Sequence, residues 1–254
     1  MSVKKAFALG SLFLLSFIIF AVALFPASIA LNLAAKQLPP GLQLGPASGT
    51  IWQGQINGVR YQGQYLSKAQ WQVNAWALLT GKAQVDVTLG NKRNPEELSA
   101  GGVINYGLFE KDLTVTDANA RVRIEQALAQ VQLPIPTQAR GRIFVDIAHY
   151  QLGQPHCQVL AGEISSPDIT VKGRNGWFSI GELEGQLACK NGGISVKVDK
   201  ENRLGLQVDA GLNERSQLTA SGFVKPDASL PKDVHDAVQF LGNQTSDGRY
   251  RINF

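Results

Sequence analysis

The stretch Lys82-Ala83-Gln84-Val85-Asp86-Val87-Thr88-Leu89 alternates polar and apolar residues without a break. Ala83, Val85, Val87 and Leu89 therefore share one face of an extended chain, with Lys82, Gln84, Asp86 and Thr88 on the other. A period of two fits a half-buried strand and does not fit a helix. Upstream, Ala69, Trp71, Val73 and Ala75 repeat the pattern, and downstream Ala120, Val122 and Ile124 alternate with Arg121 and Arg123. Ile143, Val145 and Ile147 continue it, then Leu204, Leu206 and Val208, then Leu218, Ala220 and Val224, and finally Tyr250, Ile252 and Phe254. With 26 glycines and a single methionine, the chain is built for strands and turns. The expected fold is mainly β: an antiparallel, β-rich domain, either a curved sheet or a sandwich of hairpins, with one or two short helices. Those helices are expected over residues 125–130 and after Ser229-Leu230-Pro231, where Val234, Ala237, Val238 and Leu241 share a face and Gly242 ends the run.

Three Asn-Gly dipeptides punctuate the pattern, each suited to a two-residue type I′ turn because both positions tolerate positive φ. Asn57-Gly58 predicts a hairpin that pairs Ile56 with Val59, Gly54 with Tyr61 and Trp52 with Gly63, so that two aromatic rings cover two bare glycines. Trp52 has a competing use as a ligand-stacking residue, although cross-strand packing is the simpler role. Asn175-Gly176 predicts pairs Gly173 with Phe178 and Val171 with Ile180. Asn191-Gly192 predicts Cys189 with Ile194, Leu187 with Val196 and Gly185 with Val198, which turns Cys189 toward the core.

The two cysteines, Cys157 and Cys189, are expected to form a disulfide if the domain is exported, because an oxidising compartment favours pairing. A reactive thiol or a metal site is the alternative. His156 beside Cys157 offers one ligand, but no ligand set at metal spacing accompanies it.

Export is implied by the N-terminus. No Asp, Glu, Lys, Arg or His interrupts residues 6–35, apart from which Lys4 and Lys5 precede the run. A helix needs about 20 apolar residues to cross a bilayer core, and residues 7–27 provide that length with Pro26 near one end. The two lysines place the short N-terminus in the cytoplasm and the rest beyond the membrane. A cleaved signal peptide with Ser28-Ile29-Ala30 as its cleavage site competes with the retained anchor, but the apolar run exceeds the 7–15 residues such signals use. The expected organisation is a cytoplasmic N-terminus at 1–5, a transmembrane anchor at 6–31 and a stalk at 32–46. A first β-rich subdomain follows at 47–132 and a second at 133–254, divided at Leu133-Pro134-Ile135-Pro136 unless one sheet runs through both.

The net charge of +4 falls to about +2 without Lys4 and Lys5, and no block of like charges occurs, which argues against nucleic acid as a partner. G-x-S-x-G, H-E-x-x-H, P-loop and G-x-G-x-x-G patterns are all missing from the sequence. His149, His156 and His235 sit among packing and turn residues. Glu182 and Glu184 would share a strand face, as a glycosidase pair might, yet no aromatic sugar platform surrounds them. The sequence therefore predicts no catalytic residues, no cofactor and no metal site. Asn243-Gln244-Thr245 matches a glycosylation acceptor only as a short, weak motif.

The short N-terminus, the single apolar segment and the phrase Ser48-Gly49-Thr50-Ile51-Trp52-Gln53-Gly54 soon after it form one half of a wider pattern. The other half is the closing Leu218-Thr219-Ala220-Ser221-Gly222, Leu230-Pro231 and Asp247-Gly248-Arg249-Tyr250. Together they resemble the type II secretion system protein N family over nearly the whole chain. The resemblance implies a Gram-negative, single-pass inner-membrane protein whose C-terminal domain lies in the periplasm. It also implies an accessory role in moving folded proteins from periplasm to exterior, with other type II secretion subunits as partners. A second function class stays open from the residues themselves. A long antiparallel sheet with one apolar face can curl around acyl chains in place of a second sheet, which would make a lipid-binding or lipid-transport module.

Overall fold

The computed structural model of the chain describes residues 3–61, 63–129, 138–215 and 217–253, with side chains of the first helix given from Phe7 on, Ala8 excepted. Two helices open it, α1 (Val3–Ala23) and α2 (Ala27–Ala34), followed by short strands β1 (Gln43–Leu44) and β2 (Ala47–Gly49). Next come β3 (Gln53–Tyr61), β4 (Gln64–Asn74), α3 (Ala75–Leu78), β5 (Lys82–Leu89), β6 (Ser99–Gly107), β7 (Leu113–Arg123) and α4 (Ile124–Leu128). The second half holds β8 (Ala139–Arg140), β9 (Arg142–Gln151), β10 (Val159–Gly173), β11 (Gly176–Lys190), β12 (Gly193–Val198), β13 (Gln207–Leu212), β14 (Leu218–Val224), α5 (Lys232–Val238) and β15 (Tyr250–Asn253).

Among the described residues all fifteen strands belong to one sheet, running β1-β3-β4-β5-β6-β7-β9-β10-β11-β12-β13-β14-β15, with β2 beside β3 and β8 beside β10. Every pairing is antiparallel, as short connections between sequential strands require. The sheet does not divide where the two subdomains were expected to meet, because β7 pairs directly with β9, Ala120 opposite Val145 and Val122 opposite Ile143. The proline segment Leu133-Pro134-Ile135-Pro136 itself lies outside the described residues, as do Gln62, Gln130, Ser216, Phe254 and the side chains of Lys4 and Lys5.

The register corrects one hairpin, shifts a second and matches the third. Asn57-Gly58 is not a turn. Strand β3 runs straight through it, the chain reverses beyond Tyr61, and β4 returns with Tyr61 opposite Gln64, Ile56 opposite Ala69 and Gly54 opposite Trp71. The pairs expected for Gly54 with Tyr61 and Trp52 with Gly63 are therefore not made. The physical reason lies on the other edge of β3, where Gly58, at φ 87, marks the passage from β1 to β2. Its carbonyl accepts from Gly45 N–H at 2.7 Å, and Asn57 N–H donates to Pro46 O at 3.0 Å. The second turn moves to Arg174-Asn175, since Gly173 pairs with Gly176 and Val171 with Phe178. The third stands as read: Asn191 (φ 51) and Gly192 (φ 76) make the turn, with Cys189 opposite Ile194, Leu187 opposite Val196 and Gly185 opposite Val198.

The N-terminal segment departs from the expected single span over 6–31. Helix α1 ends at Ala23 and α2 starts at Ala27, separated by Pro26, which has no N–H for a helix ladder. Among the described residues no helix is long and apolar enough to cross a membrane. The expected stalk over 32–46 is also not a free spacer, because β1 and β2 pair with β3 on either side of Pro46.

Cross-strand partners point to the same side, so the register carries one apolar face along the sheet. It runs through Trp71 and Val73, Val85 and Val87, Ile104, Ala120 and Val122, Val145, Ile164, Leu187, Val196, Val208 and Ala220 to Ile252. Most of these side chains are half-buried, and no large side chain among the described residues is completely enclosed. The dense core is local: Ile124 of α4 and Leu230 and Val234 at the start of α5 cover Ala139, Ile169 and Ile180. Arg174 fixes α5 over that cover through Asp236 (2.9 Å) and Asp233 (3.6 Å).

Candidate functional site

The phrase Ser48-Gly49-Thr50-Ile51-Trp52-Gln53-Gly54 forms a latch between the N-terminal helices and the sheet. Ser48 and Gly49 end β2, opposite Gln55 and Gly54 of β3. Gly49 takes φ 89, and a side chain there would meet Gln53 O at 2.4 Å, so glycine is required for the tight return. Thr50 then folds the loop on itself: its hydroxyl accepts from the N–H groups of Trp52 (3.3 Å) and Gln53 (3.2 Å), and its N–H donates to Gln53 O (2.8 Å).

That fold aims the next two residues at α1 and α2. Thr50 bridges to Pro26, and Ile51 N–H donates to Phe25 O at 3.0 Å. The Trp52 indole N–H donates to Val22 O at 2.9 Å, in the last turn of α1, where carbonyls have no partner within the helix. Behind this contact Trp71 closes the loop. Its indole N–H donates to Ile51 O (3.1 Å), its ring lies against Gly54, and Val73 N–H donates to Trp52 O (2.6 Å). Two indoles, one forward and one behind, thus tie the end of α1 to the start of β3.

Of the residues singled out in the sequence, Trp52 and Gly54 enter this latch. Asn57 and Gly58 sit at the β1–β2 passage, and Tyr61 and Gly63 at the far end of the β3–β4 pair. The structure does not bring the six together. Covering of a glycine by an aromatic ring does occur, with Trp71 rather than Tyr61 as the cover. The role of Trp71 was missed because the strand register that places it depends on the reversal beyond Tyr61. The Gly-Thr pair just before Trp52 was the available signal, since threonine and glycine together favour a tight turn.

Cys157 and Cys189 are joined, with Cα atoms 5.6 Å apart and a sequence separation of 32. Cys157 lies in the loop between β9 and β10, and the N–H groups of His156 and Cys157 both reach Gly192 O, at 3.1 and 3.0 Å. The bridge therefore staples that loop to the β11–β12 turn. Glu182 and Glu184 are exposed on β11. Among the described residues no group of three or more His, Cys, Asp or Glu side chains is placed to hold a metal ion.

The apolar face deepens into a groove beside the core cluster, floored by Ile143, Ile164, Leu183 and Val196 and walled by Ile124 and Leu128. The opposite face is largely polar, with Gln72 beside Asp86 on β4 and β5 and, beyond Val103 of β6, Asn119, Asp146, Glu163, Gln186, Lys197 and Asp209 side by side across β7 and β9 to β13. Two exposed carboxyls on the C-terminal connections titrate below the ordinary aspartate value. Asp227 is lowered by hydrogen bonds from the Ser229 backbone and side chain, and Asp247 chiefly by the Thr245 hydroxyl, with Arg249 assisting.

The family model for type II secretion system protein N matches residues 40–253. The chain belongs to the type II secretion system protein N family. It is 27% identical over 254 residues to the type II secretion system protein N of Vibrio cholerae serotype O1, covering 98% of each chain. It is 25% identical to the protein of the same description from Aeromonas hydrophila, covering 99% of this chain and 98% of that one. A third, from Pectobacterium carotovorum subsp. carotovorum, is 19% identical over 259 residues. No solved structure matches.

Proposed function

We propose that the protein is a non-enzymatic accessory subunit of the type II secretion system. Its first helix anchors it in the inner membrane, and its sheet lies in the periplasm, where it aids the transport of folded exoproteins to the exterior. The observation that carries this reading is the family match across residues 40–253, extended to both ends of the chain by relatives of nearly equal length. The anchor is supported by the uncharged run over 6–35 and by the exposure of the consecutive apolar residues Leu12, Phe13, Leu14 and Leu15, which project on different sides of α1. A lone anchor makes no channel, so passage of precursors across the inner membrane depends on other proteins. The partners are other subunits of the same machine.

The test is to delete the gene and measure exoprotein in the periplasm and outside the cell. Folded exoproteins should accumulate in the periplasm while inner-membrane export of their precursors stays normal. Unchanged secretion would contradict the proposal. The continuous apolar face favours one further reading, a lipid-binding module, because a groove floored by Ile143, Ile164 and Leu183 suits an acyl chain that asks for no hydrogen bonds. Unchanged secretion with a leaky envelope, and lipid co-purifying with the protein, would transfer the function to that reading.

A further inference from the structure

Antiparallel register puts every second connection on the same rim of the sheet. The rim that holds the Trp52 latch also holds the end of β4, the start of β5, the end of β6 and the start of β7, as the pairs Gln53–Gln72, Asn74–Gln84, Lys82–Gly107 and Tyr106–Leu113 require. The two connections nearest the latch on this rim expose unusually large apolar side chains. Trp76 and Leu79, in the β4–β5 connection, are each 79% exposed, and Phe109, at the tip of the β6–β7 turn, is 85% exposed. Leu108 beside it is 46% exposed.

These residues form one surface. Leu108 N–H donates to Gly81 O at 2.9 Å, and the Phe109 ring lies directly on Gly81, where any side chain would collide with it. At about 4.8 Å per strand, the turn at the start of β7 stands within about 20 Å of the latch at the start of β3. On the opposite rim Tyr61 and Tyr65 flank the β3–β4 reversal with Arg60 over the Tyr65 ring, Trp177 is capped by the Arg140 guanidinium at 3.9 Å, and Phe240 projects beyond α5, so the strongly exposed Trp, Leu and Phe side chains gather on the latch rim.

We propose that Trp76, Leu79, Leu108 and Phe109 form a membrane-docking patch that inserts into the interfacial layer of the bilayer holding α1. This rests on the anchor reading above. The occupant follows from continuity: Val22 O at the end of α1 is bonded to Trp52, whose carbonyl is bonded to Val73, three residues before Trp76. With β1 and β2 paired into the sheet, no free spacer lifts this rim from the helix end. Trp, Phe and Leu are the side chains that settle at a membrane–water boundary, where apolar area is buried and the indole N–H stays near water. The neighbouring charges, Lys82 and Lys111 against Glu110 and Asp112, are balanced. Docking is therefore driven by apolar insertion and does not require anionic lipid.

The test uses the full chain in vesicles of phosphatidylethanolamine and phosphatidylglycerol, with the native disulfide intact. One environment-sensitive fluorophore is attached at Phe109→Cys in one sample and at Phe240→Cys in another, and quenching by nitroxide-labelled lipid is read. The probe at 109 should be blue-shifted and quenched, and the probe at 240 should behave as in water. In the 109 sample, adding Trp76→Ser and Leu79→Ser should at least halve the quenching. Protein that floats with the vesicles while the 109 probe reports water overturns the patch and leaves it to a protein partner. Protein that does not float at all overturns the anchor on which the patch depends.

Discussion

Gly54 and Gly63 separate two meanings of glycine. A side chain at Gly54 would meet the Trp71 ring at 2.4 Å and Ser48 O at 2.8 Å, whereas at Gly63 nothing lies within 4 Å and only a φ of 79° opposes a larger residue. Gly54→Val should therefore destabilise by about 3 kcal/mol through overpacking, and Gly63→Val by about 1 kcal/mol through backbone strain. Denaturant unfolding of the two variants checks the order, and equal losses would contradict this register. Trp52→Phe keeps the ring and removes the indole N–H to Val22 O, an expected cost of about 1 kcal/mol. At Asp247 the folded-state pKa is lowered, so its stabilisation is complete above the unfolded value near 3.8 and is lost as pH falls through the lower folded value. Thr245→Val should raise that pKa, read by a carboxyl NMR titration, because the hydroxyl is the main donor to it.

Among the elements, alternation marked most of the strands, and Lys82–Leu89 is a strand with the faces its pattern assigns, whereas Leu204 and Leu206 lie in the connection before β13 and Ala75 and Ile124 open the short helices α3 and α4. Turns were less legible. Asn-Gly encodes tolerance of positive φ, which a turn at 191–192 and a single positive-φ glycine within a continuous strand, Gly58, can both use. What decides between them is the partner on the other side: β3 has β1 and β2 along its outer edge, a fact that no local pattern reveals. The proximity of residues 22–26 to 50–52 was hidden for the same reason, since it rests on single hydrogen bonds between distant segments. The disulfide was legible because compartment and cysteine count suffice to suggest it. It ties the β9–β10 loop to the β11–β12 turn, so replacing both Cys157 and Cys189 by Ser should cost about 3–4 kcal/mol on the loop-entropy estimate. Calorimetry of the oxidised protein beside that variant measures it, and a difference under about 1 kcal/mol would contradict a structural role.

At the scale of the molecule, composition and alternation pointed to an antiparallel β protein but left a curved sheet and a sandwich equally open. The register decides for a single sheet, with a local cover of α4 and α5 and an apolar face that stays half-buried along the rest of its length. An architecture so open suits a protein whose surfaces are completed by a membrane or by partners, and that expectation joins the anchor to the secretion role. The most direct measurement is the ratio of periplasmic to external exoprotein in a deletion strain carrying either the full chain or residues 36–254 exported by a cleavable signal. The full chain should restore secretion and the unanchored sheet, present at equal level, should leave exoprotein in the periplasm. Equal restoration by the two would contradict the account.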